Sequence, residues 1–129
     1  MDTNEQHDRG LALRRRMFGE QAVAARMDEF GAFGGPLQHI INAYVYGDVW
    51  QRPQLSAKLR SLVMLGITAA AGRPNELRVH VRGALANGWS ADEIREVLLL
   101  IAMYCGVPAA IEGHRVAHEV LSQAPPAGD

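Results

Sequence analysis

Glu76 and His80 are the residues of this chain whose types and spacing best suit acid–base chemistry. A helix that contains both places the carboxylate and the imidazole on one face, close enough to share a proton or a small ligand. Gly83, Ala84 and Asn87 continue roughly the same stripe, and small side chains leave room there for a bound molecule or another backbone. Such a pair can move protons to and from a substrate. The alternative is an ordinary polar pair on a solvated face, which stabilises a helix by roughly 0.2–0.5 kcal/mol.

Four other side chains are candidates for binding a substrate. Arg52 follows Trp50 in one turn, and a guanidinium can hold a carboxylate through two parallel hydrogen bonds. Tyr104 can donate a hydrogen bond to a ligand, and His39 can line a pocket. The alternatives are a surface turn around Trp50 and Arg52, a core aromatic at Tyr104 and a half-buried, hydrogen-bonded imidazole at His39.

A metal site and a cysteine nucleophile are weaker candidates. His114 and His118 are four residues apart and could bind a divalent cation together with Glu112 or Glu119. The chain has no His-Glu-x-x-His pattern, so we expect a surface pair and no metal. Cys105 is the only cysteine, and no histidine lies at a helical spacing from it. We expect it to be a small buried hydrophobic residue.

Composition limits the classes of function. A length of 129 residues predicts one domain spanning residues 1–129, and 48% hydrophobic residues are enough for a core. A net charge of −1 indicates no nucleic-acid partner, and the short run Arg14–Arg16 is expected to be a solvated helix face. No apolar run reaches the ~18 residues of a membrane span, and the first residues are polar, unlike a secretion signal. We therefore expect a cytoplasmic protein.

The elements that position these residues are helices separated by glycine and proline. Ser90 and Glu93 fit a capping box, and Gly106 to Pro108 predicts a break. Residues 124–129 are expected to be a frayed tail. The predicted helices are Asn4–Phe18, Glu20–Glu29, Pro36–Tyr46, Ala57–Ala71, a fifth from Pro74 to the Asn87-Gly88 pair, a sixth from Ser90 to about Tyr104, and a last from Ala109 to Ser122. The pattern predicts an all-α bundle of about six to seven helices.

Two of the predicted helices are apolar around most of their circumference. They are the fourth, which we expect to be central, and the sixth between Val97 and Met103. A chain of this size cannot easily bury both, so we expect an obligate homo-oligomer that covers them.

Several ordered blocks resemble the 4-carboxymuconolactone decarboxylase family over nearly the whole chain. The blocks are Arg9-Gly10-Leu11, residues 46–53, residues 68–73, residues 75–82, residues 87–90, and residues 96–99 through 104–110. The resemblance implies the all-helical alkylhydroperoxidase-like fold, assembly as trimers or hexamers, no cofactor, and a pocket built around Glu76 and His80. It also implies loss of CO2 from an unsaturated lactone acid. His80 would then be the proton donor or oxyanion partner, Glu76 would orient it, and Arg52 or a neighbouring subunit's arginine would hold a carboxylate.

The wider superfamily includes reductases that carry Cys-x-x-Cys-x-x-x-His on the equivalent helix. Here Arg73 and Glu76 occupy the two cysteine positions, so peroxidase chemistry is not expected.

The chain departs from the decarboxylase pattern at four positions. Leu100 and Arg115 stand where close relatives often have histidine, Tyr46 stands where they often have tryptophan, and Gln54 replaces a usual glycine. A related substrate is therefore an alternative. So are decarboxylation, isomerisation or dehydration of another lactone or keto acid, and a non-catalytic oligomeric ligand-binding protein.

Overall fold

The computed structural model describes residues 2–123, and its regular elements are all helical within that range. The prediction of an all-α chain is confirmed there, while the predicted tail at residues 124–129 lies outside the described residues. Contacts divide the chain into a first unit, residues 1–57, and a second unit, residues 58–129. The expectation of one domain stays a prediction.

The helices follow the predicted order with small shifts at their ends. In the first unit, α1 spans Thr3–Phe18, α2 spans Glu20–Asp28 and α3 spans Gly35–Ile40, with 3₁₀ turns at Gly31–Gly34 and Val49–Gln51. In the second unit, α4 spans Ala57–Ala70, α5 spans Pro74–Ala86, α6 spans Ala91–Cys105 and α7 spans Val107–Gln123.

The third predicted helix is wrong in its second half. The α-helix ends at Ile40, and Ile41–Val45 forms a π-helical turn instead. A close approach of α1 accompanies this turn, because a Cβ atom on Gly10 would lie 1.7 Å from the backbone oxygen of Asn42. The spacing of apolar residues does not show which backbone carbonyl a neighbouring helix will approach. The pattern therefore does not predict the π-helical turn at Ile41–Val45.

This segment leaves its apolar stripe exposed. Leu37, Ile40 and Tyr44 stand at helical spacing, yet about half of each side chain is exposed. Within residues 35–45 the buried side chains other than glycine are Gln38, Asn42 and Ala43, and the first two accept hydrogen bonds from α1. A polar partner on α1 therefore decides which face turns inward.

That partner is Arg14, and its position corrects the prediction of a solvated run. Arg15 and Arg16 are exposed as expected, but Arg14 is 6% exposed. It lies on the face of α1 that also buries Leu13 and Met17. The sequence does not distinguish the three consecutive arginines. The face of α1 on which each one lies decides whether it is buried or exposed.

Local signals at the ends of α6 behave largely as predicted. Ser90 Oγ accepts from the Glu93 backbone N–H at 3.1 Å, and the Ser90 N–H donates to Glu93 Oε1 at 3.0 Å, which confirms the capping box. The predicted break at residues 106–108 shortens to Gly106, which has φ 98°. Pro108 belongs to the first turn of α7, where proline needs no N–H donor.

The second unit has the larger core. Leu65, Leu77, Val81, Ile94 and Leu98 are its largest fully buried apolar side chains. The prediction that α4 is central is not confirmed: it contributes Leu65 and Ala69 to this core, while Leu59, Val63 and Ile67 on its other side are exposed. No helix between residues 2 and 123 has the length and apolar character needed to cross a membrane.

Candidate active site

Helix α5 presents the candidate pair, and both of its ends are where the sequence predicts them. Pro74 lies in the first turn, Asn87 is the C-cap, and Gly88 follows with φ 96°. Leu77 and Val81 anchor the helix in the core, and α5 packs against α6 and α7. This anchoring fixes the direction in which the other face of the helix points.

His80 lies on the inner side of α5, and Glu76 lies one turn earlier at the surface. His80 is 8% exposed, with its Nδ1 atom fully buried, whereas Glu76 is exposed. Burial lowers the pKa of His80 to about 4, and the negative charge of Glu76 opposes this shift. His80 is therefore a neutral imidazole at pH 7, which offers one N–H donor and one nitrogen acceptor.

The stripe of small residues next to the pair has a packing role in this chain. Gly83 and Ala84 are both buried, and Ala84 belongs to the apolar core. Another face of α5 carries two arginines that bind polar groups of α7: Arg78 Nη2 lies 2.8 Å from Glu119 Oε2, and Arg82 donates to Gln123 at 3.5 Å.

Arg52 lines an open cleft of about 380 Å³ in the first unit. The other lining residues are Gln6, Arg9, Gly47, Asp48 and Gln51. Arg9 Nη2 donates to Gln51 Oε1 at 3.2 Å, and Gln51 Nε2 donates to the Tyr46 carbonyl at 3.0 Å, so a fixed amide orients the second guanidinium. Arg9 was not predicted as a site residue. The close contact of Gly10 with residues 42–47 places Arg9 at this cleft, and no feature of the sequence predicts that contact.

Trp50 belongs to the interior of the first unit. It is 7% exposed and packs on Tyr46, with ring centroids 5.3 Å apart. Tyr46, one of the departures from the family pattern, is thus a packing residue. Leu100 and Arg115, two further departures, are both exposed.

His39 is exposed, which differs from the half-buried alternative. Its ring stacks on His7 with a centroid distance of 5.7 Å and meets Tyr44 edge-on at 6.4 Å. His7 is half-buried and accepts a hydrogen bond from Asn42 Nδ2 at 3.3 Å.

Tyr104 and Cys105 both face outward at the end of α6. Tyr104 is 86% exposed, so the alternative of a core aromatic is wrong. Cys105 is also exposed, which corrects the expectation of a small buried residue. Both lie in the last turn before Gly106 ends the helix, beyond the part of α6 that faces α7 and the core.

His114 and His118 form an exposed pair on α7, as the surface interpretation predicts. The Nδ1 atom of His114 lies 2.7 Å from the Ala110 carbonyl of its own helix. Residues 2–123 contain no group of three histidine, cysteine or carboxylate side chains placed to hold a metal ion.

The structure thus distributes the predicted site residues over both units. Glu76 and His80 lie on α5 of the second unit, and Tyr104 lies on α6 of the same unit. Arg52, Trp50 and His39 belong to the first unit.

The burial of His80 predicts a dependence of stability on pH. Because the pKa in the folded chain is about 4, against 6.5 for a free imidazole, the unfolded chain binds a proton between these values that the folded chain does not. Stability is therefore full above pH 6.5 and falls as pH decreases toward 4. Between pH 7 and pH 5 the loss should be about 2 kcal/mol.

Urea unfolding of the wild type and His80→Gln at both pH values measures this loss. The variant should lack it, and His118→Gln, which removes an exposed histidine, should keep it. Equal pH dependence in wild type and His80→Gln would contradict the burial of a neutral His80.

Comparison with known proteins identifies the family. The model of the carboxymuconolactone decarboxylase family matches residues 35–119. The chain is 34% identical over 121 residues to 4-carboxymuconolactone decarboxylase of Acinetobacter baylyi, covering 94% of this chain and 90% of that protein. It is 37% identical over 115 residues to nitrosuccinic acid decarboxylase of Metarhizium robertsii, covering 89% of this chain and 80% of that protein. The chain therefore belongs to the carboxymuconolactone decarboxylase family.

Proposed function

We propose that this chain is a carboxy-lyase that removes CO2 from a small carboxylated substrate without a cofactor, with Glu76 and His80 as its proton-transfer pair. The observation that supports it most strongly is the buried, neutral imidazole of His80, one helical turn from an exposed carboxylate, in a chain whose named relatives are decarboxylases. Perturbed titratable groups of this kind are concentrated at functional sites.

The substrates in the relatives' names share one fragment. In 4-carboxymuconolactone and in nitrosuccinic acid, one carbon carries a carboxylate, a –CH2–COO⁻ arm and an electron-withdrawing group. That group is the unsaturated lactone ring in the first and the nitro group in the second. We therefore propose a substrate built on a succinate skeleton with an electron acceptor on the carbon that loses CO2. The first candidate is 4-carboxymuconolactone, which would give 3-oxoadipate enol-lactone plus CO2 in the β-ketoadipate pathway of aromatic-acid catabolism.

The chemistry of this fragment explains why no cofactor is required. When the bond to the leaving carboxylate breaks, its electron pair delocalises through the C=C bond into the lactone carbonyl, and a proton then adds to a ring carbon. A neutral His80 can donate a hydrogen bond to the oxygen on which charge develops. The dianionic substrate raises the pKa of His80 in the same direction as Glu76 does, so the imidazole can take up a proton in the complex and deliver it. Glu76 orients the ring and exchanges protons with water.

The remaining assignments concern binding. Arg52 holds a carboxylate of the substrate, and Trp50 supports the turn that carries Arg52. Tyr104 and His39, both exposed, are proposed to contact the substrate as well.

We further propose that the chain assembles as a homo-oligomer, a trimer or a hexamer. The exposed apolar side chains are too many for a monomer of this size. They include Leu59, Val63 and Ile67 on α4, Leu99, Leu100 and Met103 on α6, and Ile111 on α7. Light scattering of the purified chain measures its mass, and a monomer at micromolar concentration would contradict the proposal.

A CO2-release assay tests the proposed reaction. The purified chain is incubated with 4-carboxymuconolactone, nitrosuccinic acid and, as a control without an electron acceptor, succinate. We expect CO2 from at least one of the first two and none from succinate. A product that retains every carbon would favour isomerisation or dehydration, and binding without turnover would favour a non-catalytic ligand-binding protein.

A further inference from the structure

Arg14 is a buried cation whose charge the described part of the chain does not neutralise. Its Nη1 atom donates to Gln38 Oε1 and Asn42 Oδ1, each at 2.9 Å, and both acceptors are neutral amides. No carboxylate of residues 2–123 forms an ion pair with it. Buried charges are normally paired with an opposite charge, since desolvating an unpaired one is costly.

The charged groups that act on Arg14 leave a local excess of positive charge. Besides burial, charge interactions with Tyr46 and Arg26 act on the pKa of Arg14. Burial raises the pKa of Tyr46 to about 12, so this phenol is neutral at pH 7. The second influence is another guanidinium, which adds to the positive potential.

One edge of the Arg14 guanidinium remains available. Both hydrogen bonds among residues 2–123 leave from Nη1, so Nε and Nη2 are not engaged. Neither of these atoms is among the fully enclosed polar atoms without a partner, so both keep some contact with solvent. The Nε–Nη2 edge is one of the two edges through which arginine holds a carboxylate with parallel hydrogen bonds.

The acceptors are themselves fixed. Asn42 is fully buried, and its Nδ2 atom donates to His7 Nε2 at 3.3 Å, which keeps Oδ1 directed at Arg14. The guanidinium is therefore held in one orientation before a ligand arrives, and such preorganisation favours binding.

From these contacts we propose that Arg14 binds a carboxylate of the substrate through its Nε–Nη2 edge. This inference rests on the proposed function for the identity of the ligand, since that substrate is a dianion. A purely structural role explains the Nη1 contacts but not the charge, because a neutral donor at this position could bridge two amides without burying a cation.

Binding of non-reactive dicarboxylates tests the inference apart from catalysis. Succinate has the carboxylate spacing of the proposed substrate and no electron acceptor. Its dissociation constant is measured by isothermal calorimetry for the wild type, Arg14→Gln and Arg14→Lys. We expect a rise on the order of tenfold to a hundredfold in Arg14→Gln and a smaller rise in Arg14→Lys, which keeps the charge but loses the paired geometry.

Arg15→Gln is the matched control, because it removes the same charge from an exposed position of the same helix. Succinate binding that is unchanged in Arg14→Gln, or weakened equally by both substitutions, overturns the inference. The inference is also overturned if Arg14→Gln binds succinate normally but no longer assembles. That result would indicate that a side-chain carboxylate of a neighbouring copy binds Arg14. If Arg14→Gln does not fold, crystals of the wild type soaked in succinate decide, and a carboxylate bound away from Nε and Nη2 overturns it. Failure of the proposed reaction is separate and shows as absent CO2 release despite Arg14-dependent succinate binding.

Discussion

His80→Gln is expected to lower CO2 release by roughly a hundredfold to ten-thousandfold, the range typical of a lost general acid or base. Glutamine keeps a polar group of similar size in the buried position but cannot take up and deliver a proton. Glu76→Gln should lower turnover by a smaller factor, since the exposed carboxylate acts through the imidazole. The measurement is kcat and KM for CO2 release with the substrate that the wild type accepts.

The pair is expected to act as a unit. The double variant should therefore be little slower than His80→Gln alone, because each substitution disables the same proton transfer. Arg82→Gln, which removes a charge from the opposite face of α5, is the matched control and should turn over normally. Turnover within threefold of wild type in His80→Gln, with circular dichroism showing an intact helical fold, would remove α5 from the mechanism.

Gly10→Ala should cause a large loss of stability in the first unit. The added methyl carbon would lie 1.7 Å from the Asn42 carbonyl oxygen and 2.6 Å from the Gly47 backbone nitrogen. Backbone atoms cannot rotate away as a flexible side chain can, so α1 must separate from the π-helical turn. We expect a decrease of at least about 3 kcal/mol in the free energy of unfolding.

Gly35→Ala provides the comparison for Gly10→Ala. Gly35 has helical backbone angles, φ −53° and ψ −51°, and a Cβ atom there would meet nothing within 4 Å. Alanine should therefore leave stability unchanged or raise it by up to about 1 kcal/mol. Urea unfolding monitored by circular dichroism measures both variants, and similar effects of the two substitutions would contradict the close contact at Gly10.

The sequence predicts those features that local signals encode. The boundaries of α5 follow from Pro74 and Gly88, and the start of α6 follows from the reciprocal bonds of Ser90 and Glu93. The spacing of Glu76 and His80 predicts that one helix carries both, one turn apart, and α5 does so. The family could be predicted because several blocks occur in one order, and the comparisons with known proteins confirm it.

The features that the sequence could not predict depend on contacts between distant segments. The burial of Arg14 depends on Gln38 and Asn42, which are 24 and 28 residues away. The cleft at Arg52 includes Arg9 only because α1 approaches the turn after Gly47. The exposure of Cys105 depends on where the packing of α6 ends, since Ile101, four residues earlier on the same side, is buried. Residue type and spacing within a helix do not contain this information.

The segment of α3 and the π-helical turn exposes an apolar stripe, and this has a consequence for the interpretation of hydrophobic patterns. Leu37, Ile40 and Tyr44 carry the apolar spacing of a core helix, while the chain buries Gln38 and Asn42 there, together with the small residue Ala43. Selection acts on the protein in the state in which it functions. An apolar stripe can therefore mark a surface that is buried in an assembly, even if a single chain exposes that surface to solvent. In the proposed homo-oligomer, the exposed apolar side of this helix is available for association, whereas the buried apolar residues of the chain serve its fold. Substitutions of Leu37 or Ile40 should accordingly be judged by their effect on association before their effect on the fold.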